Sequence, residues 1–86
     1  MERYRVLISR PAQKVLNALN LNIRKRIFRG IFMLESNPRP FGVKKMVGEP
    51  NTYRIRIGDY RVLYEIRDDR LLVHVVKVAH RRDVYR

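Results

Sequence analysis

Three arginines lie close to a predicted turn in the sequence YRIRIGDYRVLYEI, which spans residues 53–66. Gly58-Asp59 fits a two-residue hairpin loop of type II′, with glycine at its first central position. Such a loop pairs Arg56 with Arg61, and strand alternation puts Arg54 on the same face of the sheet. Guanidinium groups are permanently charged and bind phosphate oxygens through paired hydrogen bonds. We therefore expect a phosphate-binding surface at this hairpin.

This arrangement is unfavourable without a ligand, because like charges directly opposite each other destabilise a strand pair by about 0.2–1 kcal/mol. The alternative is that the arginines extend into water, or that Glu65 and Asp59 neutralise them. Glu65 lies some distance along the strand and Asp59 lies in the turn, so neither is an obvious partner for all three arginines. We favour the interpretation that Arg54, Arg56 and Arg61 form an anion-binding site.

The end of the chain, AHRRDVYR, adds further candidates. It contributes His80, Arg81, Arg82 and Tyr85 beside the edge of the predicted sheet. Tyr85 has a ring suited to stacking on a nucleobase, or alternatively to holding the tail against the sheet.

A second predicted turn, at Asp68-Asp69, would extend the same surface. Read as a two-residue loop, it places Val76 beside Arg61 and His74 beside Leu63, on the arginine face. A histidine among strand valines is usually a packed side chain, so His74 is a weak candidate for chemistry.

The charge balance favours a polyanionic partner. Twenty Lys and Arg against eight Asp and Glu give a formal net charge of +12. Self-repulsion on this scale destabilises a small folded domain, and a polyanion relieves it. Nucleic acid is the first candidate, followed by an anionic membrane and an acidic protein. A well-solvated basic surface without a dedicated partner is the remaining alternative.

The composition argues against several other classes of protein. The absence of cysteine excludes disulfides and thiolate metal sites. Two histidines and scattered acidic residues do not suggest a metal site, so we expect no metal and no cofactor. The N-terminal sequence MERYRVLISR is too short and too rich in arginine for a signal peptide, and no apolar run approaches the roughly 20 residues of a membrane helix.

The spacing of apolar residues and the capping residues predict the strands and helices that position these side chains. Residues 4–9 predict a strand, and Ser9 followed by Pro11 predicts the start of a helix. Asn22 is the expected cap of a second helix, which has one apolar face and ends before Pro38. Apolar alternation then predicts strands at residues 43–47, 53–57, 60–67 and 71–78. The predicted fold is α+β: a small single domain in which an N-terminal strand and a helical hairpin pack on a mainly antiparallel sheet of four to five strands.

The hairpin sequence, the ending LLVHVVKVAHRRDVYR, the preceding helical hairpin and the segment NPRPFGVKKMVGEP together resemble the RelE/ParE superfamily of toxins. These proteins belong to type II toxin–antitoxin systems, and the resemblance is closer to the RelE branch. It covers essentially the whole chain and implies one RelE-like domain over residues 1–86. It also implies a cytoplasmic endoribonuclease that cuts mRNA in the ribosomal A site without a metal and so inhibits translation. A cognate antitoxin protein would neutralise it in a hetero-oligomer, with no membrane involved.

The resemblance also implies roles for individual residues. Arg61 and Arg81 would hold the scissile phosphate, and Tyr85 would stack on a base. The other members of the implied site are Arg54 and Arg56 for positioning and electrostatics, and Lys44, Lys45 and Arg82 for contacts to the RNA.

One departure concerns the proton transfers. The best-known RelE pattern has lysines at the positions of Arg54 and Arg56, and arginine is effectively always protonated. Neither arginine is therefore a comfortable general base. His80 is the candidate acid or base, although a turn histidine with only local hydrogen bonds is an equally good interpretation.

Two other functions fit the same pattern. A ParE-like protein would inhibit DNA gyrase and cleave nothing itself. A non-enzymatic nucleic-acid-binding module would share the phosphate-binding arginines but make no cut.

Overall fold

The computed structural model describes residues 3–84, which form five strands and three helices in the order β1-α1-α2-β2-β3-β4-β5-α3. The strands are β1 (Arg5–Ile8), β2 (Lys44–Lys45), β3 (Thr52–Ile57), β4 (Tyr60–Arg67) and β5 (Leu72–His80). The helices are α1 (Arg10–Ala18), α2 (Leu21–Phe32) and the short α3 (Arg81–Val84). Single 3₁₀ turns occur at Met33–Glu35 and Asp68–Arg70. Over this part of the chain, no helix combines the length and the apolarity needed to cross a membrane.

The sheet has the order β1-β5-β4-β3-β2, with β1 parallel to β5 and every other pair antiparallel. The α+β prediction is therefore confirmed, and the sheet has five strands. The buried core lies between one face of the sheet and the two helices, and its largest members are Tyr64, Leu16, Ile27, Ile31, Leu34 and Ile66. The opposite face of the sheet is not covered by the two helices.

Both long helices begin at a side-chain cap. The Ser9 hydroxyl accepts a hydrogen bond from the amide of Ala12 at 3.2 Å, as the sequence predicts. The prediction that Asn22 caps α2 is wrong. Asn20 has the extended backbone of a cap and its side chain accepts from the amide of Ile23 at 3.0 Å, so Asn22 already lies in the first turn.

α2 lies close to β3 because of a glycine. A Cβ atom built on Gly30 would stand 2.5 Å from Cδ1 of Ile57, well inside van der Waals contact. Because Gly30 has no side chain, α2 can pack closely against β3, the strand that carries Arg54 and Arg56.

The register of the β3–β4 hairpin is the predicted one. Arg56 lies opposite Arg61 and Arg54 lies opposite Leu63. Gly58 has a φ of 62°, which suits the first central position of a type II′ loop.

The predicted register between β4 and β5 is wrong. Arg67 lies opposite Leu72 rather than residue 70, because the 3₁₀ turn and a left-handed Leu71 lengthen the connection by two residues. A bulge between Leu63 and Tyr64 adds a third residue of offset.

The corrected register changes the neighbours of the candidate site. Arg61 lies opposite Ala79 rather than Val76, and Leu63 lies opposite Lys77. His74 lies opposite Glu65 instead, further along the same face.

Candidate functional site

A cavity of about 240 Å³ opens on the face of the sheet away from the helices. We call it the arginine pocket, and its lining residues are Gly42, Lys44, Arg54, Arg56 and Arg61. Two register pairs bring the cations together, since Lys44 lies opposite Arg54 and Arg56 lies opposite Arg61. The three predicted arginines therefore share one cavity, and β2 adds a lysine to them.

Three cations of the pocket are not neutralised by a described carboxylate. Within residues 3–84, no ion pair joins Lys44, Arg54 or Arg56 to a carboxylate. The Nε of Arg56 donates to the carbonyl oxygen of Gly58 at 3.0 Å, which orients the guanidinium without neutralising it. Cations held this close in a cavity can bind an anion, and bidentate geometry suits phosphate.

Two of the predicted site residues point to the other face of the sheet. Lys45 lies opposite Tyr53, and His80 lies opposite Tyr60, whose ring it meets edge-on at 5.2 Å. Strand alternation separates both side chains from the arginine pocket. The Nδ1 of His80 accepts a hydrogen bond from the amide of Arg82 at 3.3 Å, which is the local contact named as the alternative.

The C-terminal candidates lie at the turn end of the hairpin. The amide of Arg81 donates to the carbonyl oxygen of Asp59 at 2.8 Å, so α3 begins beside the β3–β4 loop. Arg81 and Arg82 are both exposed there. Tyr85 lies outside the described residues.

Comparison with known proteins agrees with this architecture. Residues 6–85 match the family described as the ParE toxin of type II toxin-antitoxin system, parDE. The putative toxin RelE1 of Methanocaldococcus jannaschii is 32% identical over 88 residues, covering 98% of this chain and 97% of the relative. Toxin RelE3 of the same organism is 33% identical over 85 residues, covering 94% of each. The archaeal RelE of a RelE–RelB complex from Pyrococcus horikoshii superposes with a TM-score of 0.83 at 31% identity, covering 94% of this chain and 98% of that one.

The chain belongs to the RelE/ParE superfamily of type II toxins. The resemblance seen in the hairpin and C-terminal sequences is confirmed, and the curated relatives of similar length carry RelE names.

One wall of the toxin's arginine pocket is anchored by a cluster that sequence reasoning missed. Asp68 accepts from both terminal nitrogens of Arg39, at 2.7 and 3.1 Å, and from the Tyr4 hydroxyl at 2.6 Å. The Nε of Arg39 also donates to the Tyr53 hydroxyl at 3.3 Å. We call Tyr4, Arg39, Tyr53 and Asp68 the Asp68 cluster. The hydrogen bonds from Arg39 and then Tyr4 lower the pKa of Asp68 from 3.8 to about 2.

A buried hydrogen bond strengthens the same anchor. The Tyr64 hydroxyl donates to the carbonyl oxygen of Pro38 at 2.8 Å, and burial raises the pKa of Tyr64. The chain then turns through Gly42, whose φ of 89° suits glycine, before it reaches Lys44 in β2. Arg39 and Pro38 therefore fix the start of the loop that supplies Gly42 and Lys44 to the pocket.

The signal for this cluster in the sequence is weak. Arg39 stands between two prolines and Asp68 stands in a predicted turn, but 29 residues separate them. Only the folded sheet brings Arg39 and Asp68 together. Over the described residues, no three His, Asp or Glu side chains converge in a way that suggests a metal site.

Proposed function

We propose that this toxin is a metal-independent endoribonuclease that cuts mRNA in the ribosomal A site and thereby blocks translation. The observation that carries the proposal is the convergence of Lys44, Arg54, Arg56 and Arg61 on one open cavity. The RelE names of its relatives support the same activity.

The proposed reaction is attack by the RNA's own 2′-hydroxyl on the adjacent phosphate. The 2′-oxygen forms a bond to phosphorus while the bond from phosphorus to the 5′-oxygen breaks, leaving a 2′,3′-cyclic phosphate and a 5′-hydroxyl. The 2′-hydroxyl loses one proton and the 5′-oxygen gains one. The transition state carries extra negative charge on the phosphoryl oxygens, and preorganised guanidinium groups stabilise it.

We assign the phosphate to Arg61 and Arg81, and the alignment of the strand to Arg54 and Arg56, with Tyr85 stacking on a splayed base. Guanidinium groups position the reacting atoms and need not exchange protons for this role.

The proton transfers need a different group. The charged side chains that line the arginine pocket are those of lysine and arginine, and none of them is a conventional general base. His80 lies on the other face of the sheet. We therefore propose that a group of the ribosome-bound RNA accepts the proton. Cleavage of free RNA should then be much slower than cleavage of mRNA in the A site.

We also propose a cognate antitoxin as the physiological partner, in a cytoplasmic hetero-oligomer. The Pyrococcus relative was solved as a complex with RelB. The net charge of +12 suits an acidic partner, and exposed apolar side chains outside the two helices, such as Leu7, Phe41 and Val47, offer surface for one to cover.

The test is primer extension on an mRNA under translation in vitro. Wild-type toxin should produce breaks at A-site codons, and Arg61→Ala should abolish them. Arg70→Ala is the matched control, since Arg70 is exposed on a turn outside the pocket and its loss should leave the breaks in place. Equal cleavage by wild type and Arg61→Ala would overturn the assignment.

A second candidate is inhibition of DNA gyrase, favoured by the match of residues 6–85 to the ParE family. A supercoiling assay run beside the translation assay separates the two. Loss of supercoiling without mRNA breaks would establish the ParE-like activity in place of the nuclease.

A further inference from the structure

The two helices on the other side of the sheet carry a second concentration of positive charge. We call α1 and α2 the helix layer. Residues 10–32 contain no Asp or Glu. Their cations are Arg10, Lys14, Arg24, Lys25, Arg26 and Arg29. All of these except the half-buried Arg24 are exposed.

The placement of these cations is unfavourable for the helices themselves. Arg10 is the first residue of α1, at the positive end of the helix dipole, and neither helix has an acidic residue in its first turn. Arg10 with Lys14 and Lys25 with Arg29 are like-charge pairs at i, i+4 spacing, which destabilise a helix. The sequence therefore keeps a charge pattern that works against helix stability.

No described ion pair offsets this pattern. The ion pairs over residues 3–84 involve Arg3, Arg39, Arg67 and His74, and none involves a residue of the helix layer. The Nε of Arg24 is also buried without a hydrogen-bond partner. An external polyanion is the simplest source of compensation.

We propose that the helix layer is a second RNA-binding surface, which takes the phosphate backbone of a double-stranded RNA segment while the arginine pocket takes a single strand. α1 and α2 are 9 and 12 residues long. At 1.5 Å per residue they present cations over roughly 14 and 18 Å. A duplex carries about one phosphate charge per 1.7 Å of axis, so a surface of this length meets several phosphates.

The chemistry favours RNA over an acidic protein at this surface. Charged residues are depleted at the centre of protein interfaces. The exposed positions of the helix layer include five of them, Arg10, Lys14, Lys25, Arg26 and Arg29. Spaced cations on an exposed surface instead suit a continuous phosphate backbone. The toxin would then bridge two RNA segments, one on each side of its sheet. This inference goes beyond the proposed nuclease and does not depend on cleavage.

The test compares two triple variants that remove the same charge from different surfaces. Lys14→Gln, Lys25→Gln and Arg29→Gln together alter the helix layer. Arg5→Gln, Arg67→Gln and Arg70→Gln together alter exposed positions outside both the helix layer and the arginine pocket. Each variant loses three positive charges, and thermal unfolding checks that each one folds.

Binding is measured against salt concentration with two probes that cannot be cleaved: a short duplex and a single strand, both of 2′-O-methyl RNA. The helix-layer variant should bind the duplex with a log–log salt slope less steep by about 2–3, and should bind the single strand as the wild type does. The control variant should bind both probes as the wild type does. Arg54→Ala should weaken only the single strand.

Three results would overturn the proposal. The first is duplex binding by the helix-layer variant with an unchanged slope. The second is an equal loss in both triple variants, which would show a general effect of net charge. The third is loss of antitoxin binding by the helix-layer variant with duplex binding intact, which would assign the surface to an acidic protein. Because neither probe can be cleaved, failure of the nuclease proposal would not affect any of these readings.

Discussion

Arg39 and Arg56 show two opposite uses of the same side chain. Arg39 donates to both carboxylate oxygens of Asp68 and lies over the ring of Tyr53, with its guanidinium carbon 5.2 Å from the ring centre. Arg56 lies opposite another arginine and donates only to a backbone carbonyl, that of Gly58, among the described contacts. The Asp68 cluster satisfies its charges and fixes a loop. In the arginine pocket, Lys44, Arg54 and Arg56 have no described carboxylate partner, and a phosphate can pair with them.

The largest effect should come from removing a pocket arginine. Arg56→Ala should reduce cleavage by about 10²-fold, the loss expected when the reacting strand is misplaced by about 1 Å. The same change relieves like-charge repulsion, so the free energy of unfolding should rise by about 0.2–1 kcal/mol. Single-turnover cleavage and urea unfolding measure the two quantities.

Arg39→Ala is the comparison variant, because it should lower the free energy of unfolding instead. Equal destabilisation by Arg39→Ala and Arg56→Ala would remove the distinction between the Asp68 cluster and the arginine pocket.

A carboxylate placed in the arginine pocket should make it resemble the Asp68 cluster. Leu63 lies opposite Arg54 on the pocket face, so Leu63→Glu puts an acid beside the guanidinium. We expect the salt slope of single-strand RNA binding to fall by about 1–2, because the new acid competes with phosphate.

Leu63→Gln is the uncharged control of the same shape and should keep the wild-type slope. Equal weakening by the two substitutions would show that Leu63 acts through packing and that the new negative charge has no effect.

Removing the hydroxyl of Tyr64 tests whether its hydrogen bond holds the start of the loop that leads to Lys44. Tyr64→Phe removes the hydrogen bond to the carbonyl oxygen of Pro38 and should lower the free energy of unfolding by about 1–2 kcal/mol. Tyr60→Phe is the control, since the Tyr60 ring packs against His80 and its hydroxyl makes no hydrogen bond within the described residues. Chemical denaturation of the two variants checks the difference, and a loss in Tyr60→Phe as large as in Tyr64→Phe would contradict it.

The smallest effect is the pH dependence contributed by Asp68. Its pKa is lowered from 3.8 to about 2 in the folded protein, so its contribution to stability is present above pH 4. That contribution is lost as the pH falls from about 4 to 2, because the carboxylate becomes protonated and its bonds to Arg39 weaken.

Thermal unfolding of wild type and Asp68→Asn should therefore differ at neutral pH and converge near pH 2. A constant difference between the two proteins across this range would show that the ion pair contributes nothing.

The sequence by itself determined the features whose causes are local. The two-residue loop at Gly58-Asp59 fixes the register of β3 with β4, because so short a connection allows only one pairing of its flanking residues. The convergence of Arg54, Arg56 and Arg61 follows directly from that register. The start of α1 was equally readable, since Ser9 needs only the amide of Ala12 to act as a cap.

Only the tertiary structure decided the features that depend on distant or irregular contacts. The 3₁₀ turn and the bulge set the register of β5, and with it the position of His74 away from Arg61. The strand predicted over residues 43–47 is only two residues long, and the register of that strand with β3 puts Lys44, but not Lys45, on the pocket face. The Asp68 cluster joins four separate parts of the chain. It could not be predicted, because the free energy of an ion pair depends on a distance that the sequence does not contain.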